Sequence, residues 1–298
     1  MNFSFLLNKS RNKNVNFIDL HRQRNSRNSK GIKLGSLINK NIKSVLDHGQ
    51  FILGPEVEQL EEKLKKFTGS EHALGVSSGT DGLLIALMAL GIGQNDEVIT
   101  TPFSFFATVE VIILLKAKPV FVDIEPDSYN INPNKLEEKI SSKTKAIIAV
   151  SLYGQPANFE KINKIANKYS IPVIEDAAQS FGSEQNGIKS CNLSTIGVTS
   201  FFPSKPLGCY GDGGACFTNN DQIAEKMRGI SRHGQKSRYN HTEIGINGRL
   251  DTFQAAVLLV KLDYFSKEVE IRNKLGNKFS EKLNSIGINS TPYIKSKN

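Results

Sequence analysis

Cysteine is scarce in this chain. Only Cys191, Cys209 and Cys216 occur among 298 residues, an odd number with no CxxC pair. A chain of this size builds a core without disulfides, so the reading is a reducing, cytoplasmic setting and not a secreted disulfide scaffold. Long apolar runs are also missing. The most apolar patches, around residues 109–115 and 255–260, fall short of the ~20 residues that a membrane span requires, and residues 3–7 are too few for the apolar part of a secretory signal. The acid-poor start with its Arg and Ser residues leaves a transit peptide as the alternative. Internal repeats are absent, and the only biased tract is the Asn/Lys/Arg/Ser-rich beginning. With 39% apolar and 22% charged residues, 24 Gly and 10 Pro, disorder and collagen-like structure are excluded and a folded α/β protein is indicated.

The formal net charge of +9 is unusual and unevenly spread. Residues 1–43 hold ten Lys or Arg (Lys9, Arg11, Lys13, Arg22, Arg24, Arg27, Lys30, Lys33, Lys40, Lys43) and one acid, Asp19, so the remaining 255 residues balance to zero. A basic segment of this kind fits a polyanion or an anionic membrane surface. Apart from Phe17 no Phe, Tyr or Trp interleaves with these charges and no nucleic-acid motif is present, so neither nucleic acid nor membrane is expected as a partner.

From about residue 73 to residue 176, short apolar runs at 73–77, 97–101, 119–123, 146–151 and 172–175 alternate with longer stretches at 81–90, 105–116, 135–140 and 159–169. In those stretches apolar residues recur every three or four positions, as on one face of a helix. Strands apolar on both faces and joined by helices predict a mostly parallel sheet covered on two sides. Ligands of such sheets bind at the carboxyl ends of the strands. From residue 251 the pattern becomes helical, and residues 286–290 read as a turn into a further strand.

Three segments at those ends carry chemistry. Ser78-Gly79-Thr80-Asp81 follows the first strand and opens a helix, which presents backbone N–H groups and a hydroxyl to a phosphate; an ordinary N-cap is the plainer alternative. Glu175-Asp176-Ala177-Ala178-Gln179 puts two carboxylates at the mouth of a buried strand. An Asp there calls for a cation such as Lys, Arg, a metal or a pyridinium nitrogen, unless it caps a following helix. Gln179, one helical turn on, is placed to face the same group. Finally, Lys205 sits in a loop of Ser, Pro and Gly after Ser200-Phe201-Phe202, with no charged residue nearer in sequence than Lys189 and Asp212. An isolated amine suits a Schiff-base nucleophile, although a solvent lysine is the alternative. Phosphate cradle, Asp, hydroxyl and lysine together describe a pyridoxal phosphate site.

With Gly54-Pro-Glu-Val-Glu, Ser78-Gly-Thr-Asp, Thr101-Pro-Phe-Ser-Phe-Phe-Ala-Thr, Val122-Asp-Ile, Glu175-Asp-Ala-Ala-Gln, Ser200-Phe-Phe-Pro-Ser-Lys and Gly245-Ile-Asn-Gly-Arg-Leu-Asp in this order, the chain resembles the sugar-nucleotide aminotransferases of the DegT/DnrJ/EryC1/StrS family. The likeness runs from about residue 16 to the end. It implies an α/β fold of the pyridoxal-phosphate-dependent transferase type I, with a basic extension at 1–15, a large cofactor-binding domain at 16–265 and the start of a small, apparently truncated domain at 266–298.

Residue by residue, the resemblance implies Lys205 as Schiff-base lysine and acid/base, and Asp176 as the partner of the pyridine nitrogen. It implies Gln179 at the phenolic oxygen, Phe105 stacked on the ring, and Gly79, Thr80 and Ser200 on the phosphate. Asn247 matches the residue that reaches the phosphate of a neighbouring subunit, implying a homodimer with shared active sites. Arg249 matches a position near the sugar nucleotide, with an ion pair to Asp251 as its structural alternative. His233 also matches a family motif and reads as positional. No metal is implied.

Residues 201–214 most resemble enzymes that aminate a UDP-2-acetamido-2-deoxy-3-keto-glucuronate with glutamate as donor, in the cytoplasm, for surface polysaccharide such as lipopolysaccharide O-antigen. Another 3-keto or 4-keto nucleotide sugar, or a non-catalytic truncated homologue, are the alternatives. A sugar dehydratase of the same fold is disfavoured by Lys205, which those relatives replace with His.

Overall fold

The computed structural model describes residues 18–27, 31–237 and 239–288. In chain order its strands are β1 (His72–Val76), β2 (Glu97–Thr100), β3 (Lys118–Phe121), β4 (Thr144–Val150), β5 (Val173–Asp176), the short hairpin pair β6 (Glu184–Gln185) and β7 (Ile188–Lys189), then β8 (Ile196–Ser200), β9 (Gly214–Thr218) and a second small pair, β10 (Gln235–Ser237) and β11 (Asn240–His241). Seven of them form one sheet in the order β1-β9-β8-β5-β4-β2-β3. Only β9 runs against its neighbours; β8, β5, β4, β2 and β3 are parallel. The mostly parallel sheet expected from the alternating pattern is thus present.

Strand periodicity sorts side chains to the two faces. Ala146 and Ile148 of β4 join one core cluster with Leu83, Ile85 and Leu87 of α4 (Gly79–Ala89 in the helix series below), while Ile147 and Ala149 join another with Phe159, Ile162 and Ala166. The helices are α1 (Leu20–Asn25), α2 (Leu34–His48), α3 (Pro55–Thr68), α4 (Gly79–Ala89), α5 (Ala107–Leu114), α6 (Phe159–Lys168), α7 (Asp221–Ile230) and α8 (Thr252–Ser285). Helices α4, α5 and α7 contribute to the first cluster and α6 to the second. A third, built on Val57, Leu60 and Leu64 of α3 and Leu258 and Phe265 of α8, covers β1 and β9 on the face opposite α4.

Helix α3 shows why its ends lie where they do. Pro55 stands in the first turn, Glu56 and Glu58 favour the positive end of the dipole, Lys65 and Lys66 the negative end, and Gly69 closes the helix at φ 77°.

Two local expectations are corrected. Residues 135–140 do not form an α-helix; they lie in two 3-10 turns, Pro133–Lys135 and Glu137–Lys139, begun by the Asn132 side chain accepting from Asn134 N–H at 3.0 Å. No helix follows Asp176 either. The chain makes turns there and passes Gly182 at φ 93°, where a Cβ would lie 2.7 Å from the Phe265 ring.

Helix α8 is continuous across position 265, and its buried residues all lie between Thr252 and Phe265. Residues 1–17 and 289–298 are outside the described residues, and with them lie the basic extension expected at 1–15 and the strand expected after the turn at 286–290; of that turn, residues 286 and 287 are a turn after α8. Among the described residues no helix is long and apolar enough to cross a membrane.

Candidate active site

Strands β1, β8 and β5 point the same way, since β9 is antiparallel to both β1 and β8 and β8 is parallel to β5. Their carboxyl ends therefore share one rim of the sheet. After β1, Ser78 caps α4 by accepting from Asp81 N–H at 3.0 Å, which leaves Gly79 and Thr80 at the exposed start of the helix, both half-buried. Beside them, the last residue of β8 is Ser200. A Cβ on Gly79 would sit 2.8 Å from Ser200 Cβ, so only glycine lets the two loops approach. Gly214 sits opposite both Val76 and Ser200 in register, and a Cβ there would meet Gly79 N at 2.8 Å. Three strand ends are in this way drawn around a cradle of helix N–H groups and hydroxyls, the arrangement that binds phosphate.

Asp176 ends β5 and is buried. Its carboxylate accepts from the Thr108 hydroxyl of α5 at 2.9 Å and from Ala178 N–H at 3.2 Å. Thr108 is itself tied to Ser104 at 2.9 Å. Burial pushes the Asp176 carboxyl up, against these hydrogen bonds and the attraction of Lys205. Among the described residues no Lys, Arg or His is within ion-pair distance of it, so a buried acid faces the rim without a bonded cation.

Lys205 is half-buried on a loop pinned at both ends. Phe201 N–H donates to Gly213 O at 2.7 Å, Cys209 N–H to Phe201 O at 2.7 Å, and Lys205 N–H to Phe202 O at 2.8 Å. From α8, Gln254 accepts from Tyr210 N–H at 2.9 Å and the buried Lys261 ammonium donates to Gly208 O. Burial lowers the proton affinity of Lys261.

Gln179 is half-buried and accepts from Tyr153 N–H at 2.9 Å, which ties the turn after β5 to the turn after β4. Phe105 is 70% exposed, just before α5. Asn247 is exposed and shares an isolated bridge with Arg232; Arg249 bridges Val76 at the end of β1. Arg249 makes no ion pair with Asp251, and its buried Nε has no acceptor among the described residues. His233 is held at φ 62° by backbone bonds to Ile246 and to the His241 ring.

Glu175, Thr108 and Lys261 were not singled out as site residues by sequence reasoning. Thr108 carries a faint signal, a hydroxyl in the first turn of a helix that is apolar apart from it and Glu110. Lys261 carries none, because its partner Gly208 lies 53 positions away.

A family model described as the DegT/DnrJ/EryC1/StrS aminotransferase family matches residues 33–298. A Pseudomonas aeruginosa protein named UDP-2-acetamido-2-deoxy-3-oxo-D-glucuronate aminotransferase is 54% identical over 284 residues, which cover 95% of this chain and 77% of that protein. The solved structure of a DegT DnrJ EryC1 StrS aminotransferase from Brucella abortus superposes with a TM-score of 0.86 at 41% identity, covering 91% of this chain and 73% of the other. NtdA from Bacillus subtilis, solved with bound cofactor PMP, superposes with a TM-score of 0.84 at 32% identity, covering 94% and 63%.

Proposed function

The chain belongs to the DegT/DnrJ/EryC1/StrS aminotransferase family, and from that premise we propose that it moves the amino group of glutamate onto the keto carbon of UDP-2-acetamido-2-deoxy-3-oxo-glucuronate, for surface polysaccharide such as O-antigen. The observation that carries the reaction class is the pairing of a cation-poor buried Asp176 with Lys205 on one rim. The 54% identity to the Pseudomonas aeruginosa aminotransferase supports the substrate.

Pyridoxal phosphate is the cofactor. The residues fit it: the cradle at Gly79 and Ser200 suits its phosphate, and Asp176 suits a protonated ring nitrogen. When bound, it supplies a carbonyl carbon that condenses with amines and a ring that accepts the electron pair released on proton removal.

In this reading Gly79, Thr80 and Ser200 hold the phosphate, Phe105 lies against the ring and Gln179 faces the phenolic oxygen. Asp176 stabilises the positive nitrogen through charge, which a neutral amide at that position would not do. The Lys205 amine anchors the cofactor and then carries the proton between the two carbon atoms. Its loop, fixed at Gln254 and Lys261, keeps that amine on the rim. Arg249, with an unused buried donor, pairs with an anionic group of the substrate. Asn247 extends to the phosphate held by a second copy, giving a homodimer with shared sites. The setting is the cytoplasm.

The test is purified protein with glutamate and a panel of 3-keto and 4-keto sugar nucleotides, read by mass spectrometry. Amino sugar is expected from the 3-keto glucuronate. Lys205→Ala is expected to lose the visible absorbance of the bound cofactor and roughly 10²–10⁴-fold in turnover. Product formed only from a 4-keto sugar would overturn the substrate, and a colourless reconstituted wild type would overturn the reaction class.

A further inference from the structure

Glu175 is a second buried carboxylate, next to Asp176 on β5, and nothing in the proposed chemistry uses it. Because successive strand residues face opposite sides, Asp176 points toward α5 and Glu175 toward the other face. There it is gripped from separate segments. Oε1 accepts from the Ser190 hydroxyl at 2.6 Å and the Ser151 hydroxyl at 3.1 Å, and Oε2 from Cys191 N–H at 2.7 Å. Ser190 is in turn bonded to Ser180 at 2.7 Å.

These partners close a ring around the end of β5. Ser151 N–H donates to Asp176 O at 3.0 Å, so the residue that grips Glu175 by its hydroxyl also grips Asp176 by its backbone. Cys191, at φ 76°, is pressed against β8: a Cβ on Gly197 would come within 2.3 Å of Cys191 O. All three donors are neutral. Where Glu175 is ionised, above about pH 7 because burial pushes its carboxyl up, they keep its negative charge in place without cancelling it, and that charge beside Asp176 acts on whatever Asp176 holds.

We propose that Glu175 is the positioning residue for Asp176: it locks the end of β5 and adds a second carboxylate behind the ring nitrogen, so that the proton shared by Asp176 and the pyridine rests on nitrogen. The inference depends on Asp176 facing that nitrogen, as in the proposed function. Titratable groups facing Glu175 are Asp176 on its own strand and the Cys191 thiol on the turn before β8, which burial keeps protonated. Lys205 acts on Asp176 from the rim.

The experiment reads the ¹⁵N chemical shift of ring-labelled cofactor in the holoenzyme across pH. Glu175→Gln keeps the volume and removes the charge, and is expected to move the nitrogen's protonation midpoint about one unit to lower pH. Ser190→Ala, which weakens the support for the ionised carboxylate, is expected to move it the same way by less. If Glu175→Gln does not fold, Ser190→Ala decides. Unchanged midpoints in the folded variants would overturn the proposal. Asp176→Asn separates the two readings: an effect there with none at Glu175 fails the proposal alone, whereas no effect at Asp176 fails the site reading beneath it.

Discussion

Two of the places where this molecule hides charge are built oppositely. At the carboxyl end of β5, Asp176 and Glu175 are buried beside each other and held by hydroxyls and backbone N–H groups, with no bonded cation among the described residues. At the free edge of β1 the excess is positive. Glu61 of α3 accepts from Gly75 N–H at 2.9 Å and from Arg228 at 3.1 Å, while Arg228 reaches Ala73 O at 3.4 Å. Arg232 and Arg249 stand close by in the chain's path, each with a buried Nε that lacks an acceptor. Burial and the neighbouring guanidinium of Arg228 lower the proton affinity of Arg232.

The difference follows from topology. An antiparallel edge strand leaves backbone groups open, and the Glu61–Arg228 pair covers them. The carboxyl ends of parallel strands have no such open ladder, so their polar side chains are left for a ligand. One region is prepared for a cation and the other has donors to spare for an anion.

The acid end should therefore respond to pH in a way the edge does not. Burial pushes the Glu175 carboxyl from 4.5 to about 7 and raises Asp176 as well. Both groups bind protons more tightly folded than unfolded. For Glu175 this contribution to stability is fully present below its unfolded value and lost as pH rises from about 4.5 to about 7, on the order of 3 kcal/mol, and Asp176 acts in the same direction. Urea unfolding of cofactor-free protein at pH 5 and pH 8 should show the decline, flattened in Glu175→Gln. A wild type more stable at pH 8, with Glu175→Gln unchanged, would remove the contrast between the two regions.

Arg249→Ala tests the basic side. Loss of a charge-assisted pair with substrate is expected to raise KM for the keto sugar about 10–100-fold, with cofactor absorbance unaltered. A fall in cofactor retention at unchanged KM would make Arg249 part of the scaffold of β1 instead.

Sequence reading succeeded where the signal is local. Short, mostly apolar runs between turn signals mark strands without any knowledge of their partners, and β1, β2, β3, β4 and β5 fall within two residues of the expected runs. It failed for residues 135–140 because Leu136 and Ile140 have helical spacing although Pro133 and Asn132 set up tighter turns. Strand β9 was missed inside a glycine-rich stretch: its glycine answers to the crowding of Gly79 and Thr199, not to a turn.

At the site, residue types at strand ends were visible, whereas the grip on them was not. The Ser190 and Ser151 hydroxyls lie 15 and 24 positions from Glu175, and only the folded sheet brings them together. The basic edge was equally hidden, since Glu61 and Arg228 are 167 positions apart. Segmental charge counting had located the excess at residues 1–43 and left the remainder neutral. Neutral in sum, that remainder still separates acid from base in space.

The smallest expected effect measures how firmly that edge pair holds. Arg228 retains 39% of its side-chain exposure while Glu61 keeps only 12%, so solvent screens the attraction from one side. A double-mutant cycle with Glu61→Gln and Arg228→Met, read by urea unfolding, is expected to give a coupling of about 1 kcal/mol. Glu61→Gln alone should cost more than Arg228→Met alone, because the amide oxygen can still accept from Gly75 N–H but the lost charge leaves Arg228 and Arg232 facing each other without an acid. A coupling near zero would mean that the backbone bond to Gly75 fixes the edge and the guanidinium only shields it. A coupling of several kcal/mol would make the edge as strictly balanced as a buried ion pair, and the two regions would then differ in sign but not in kind.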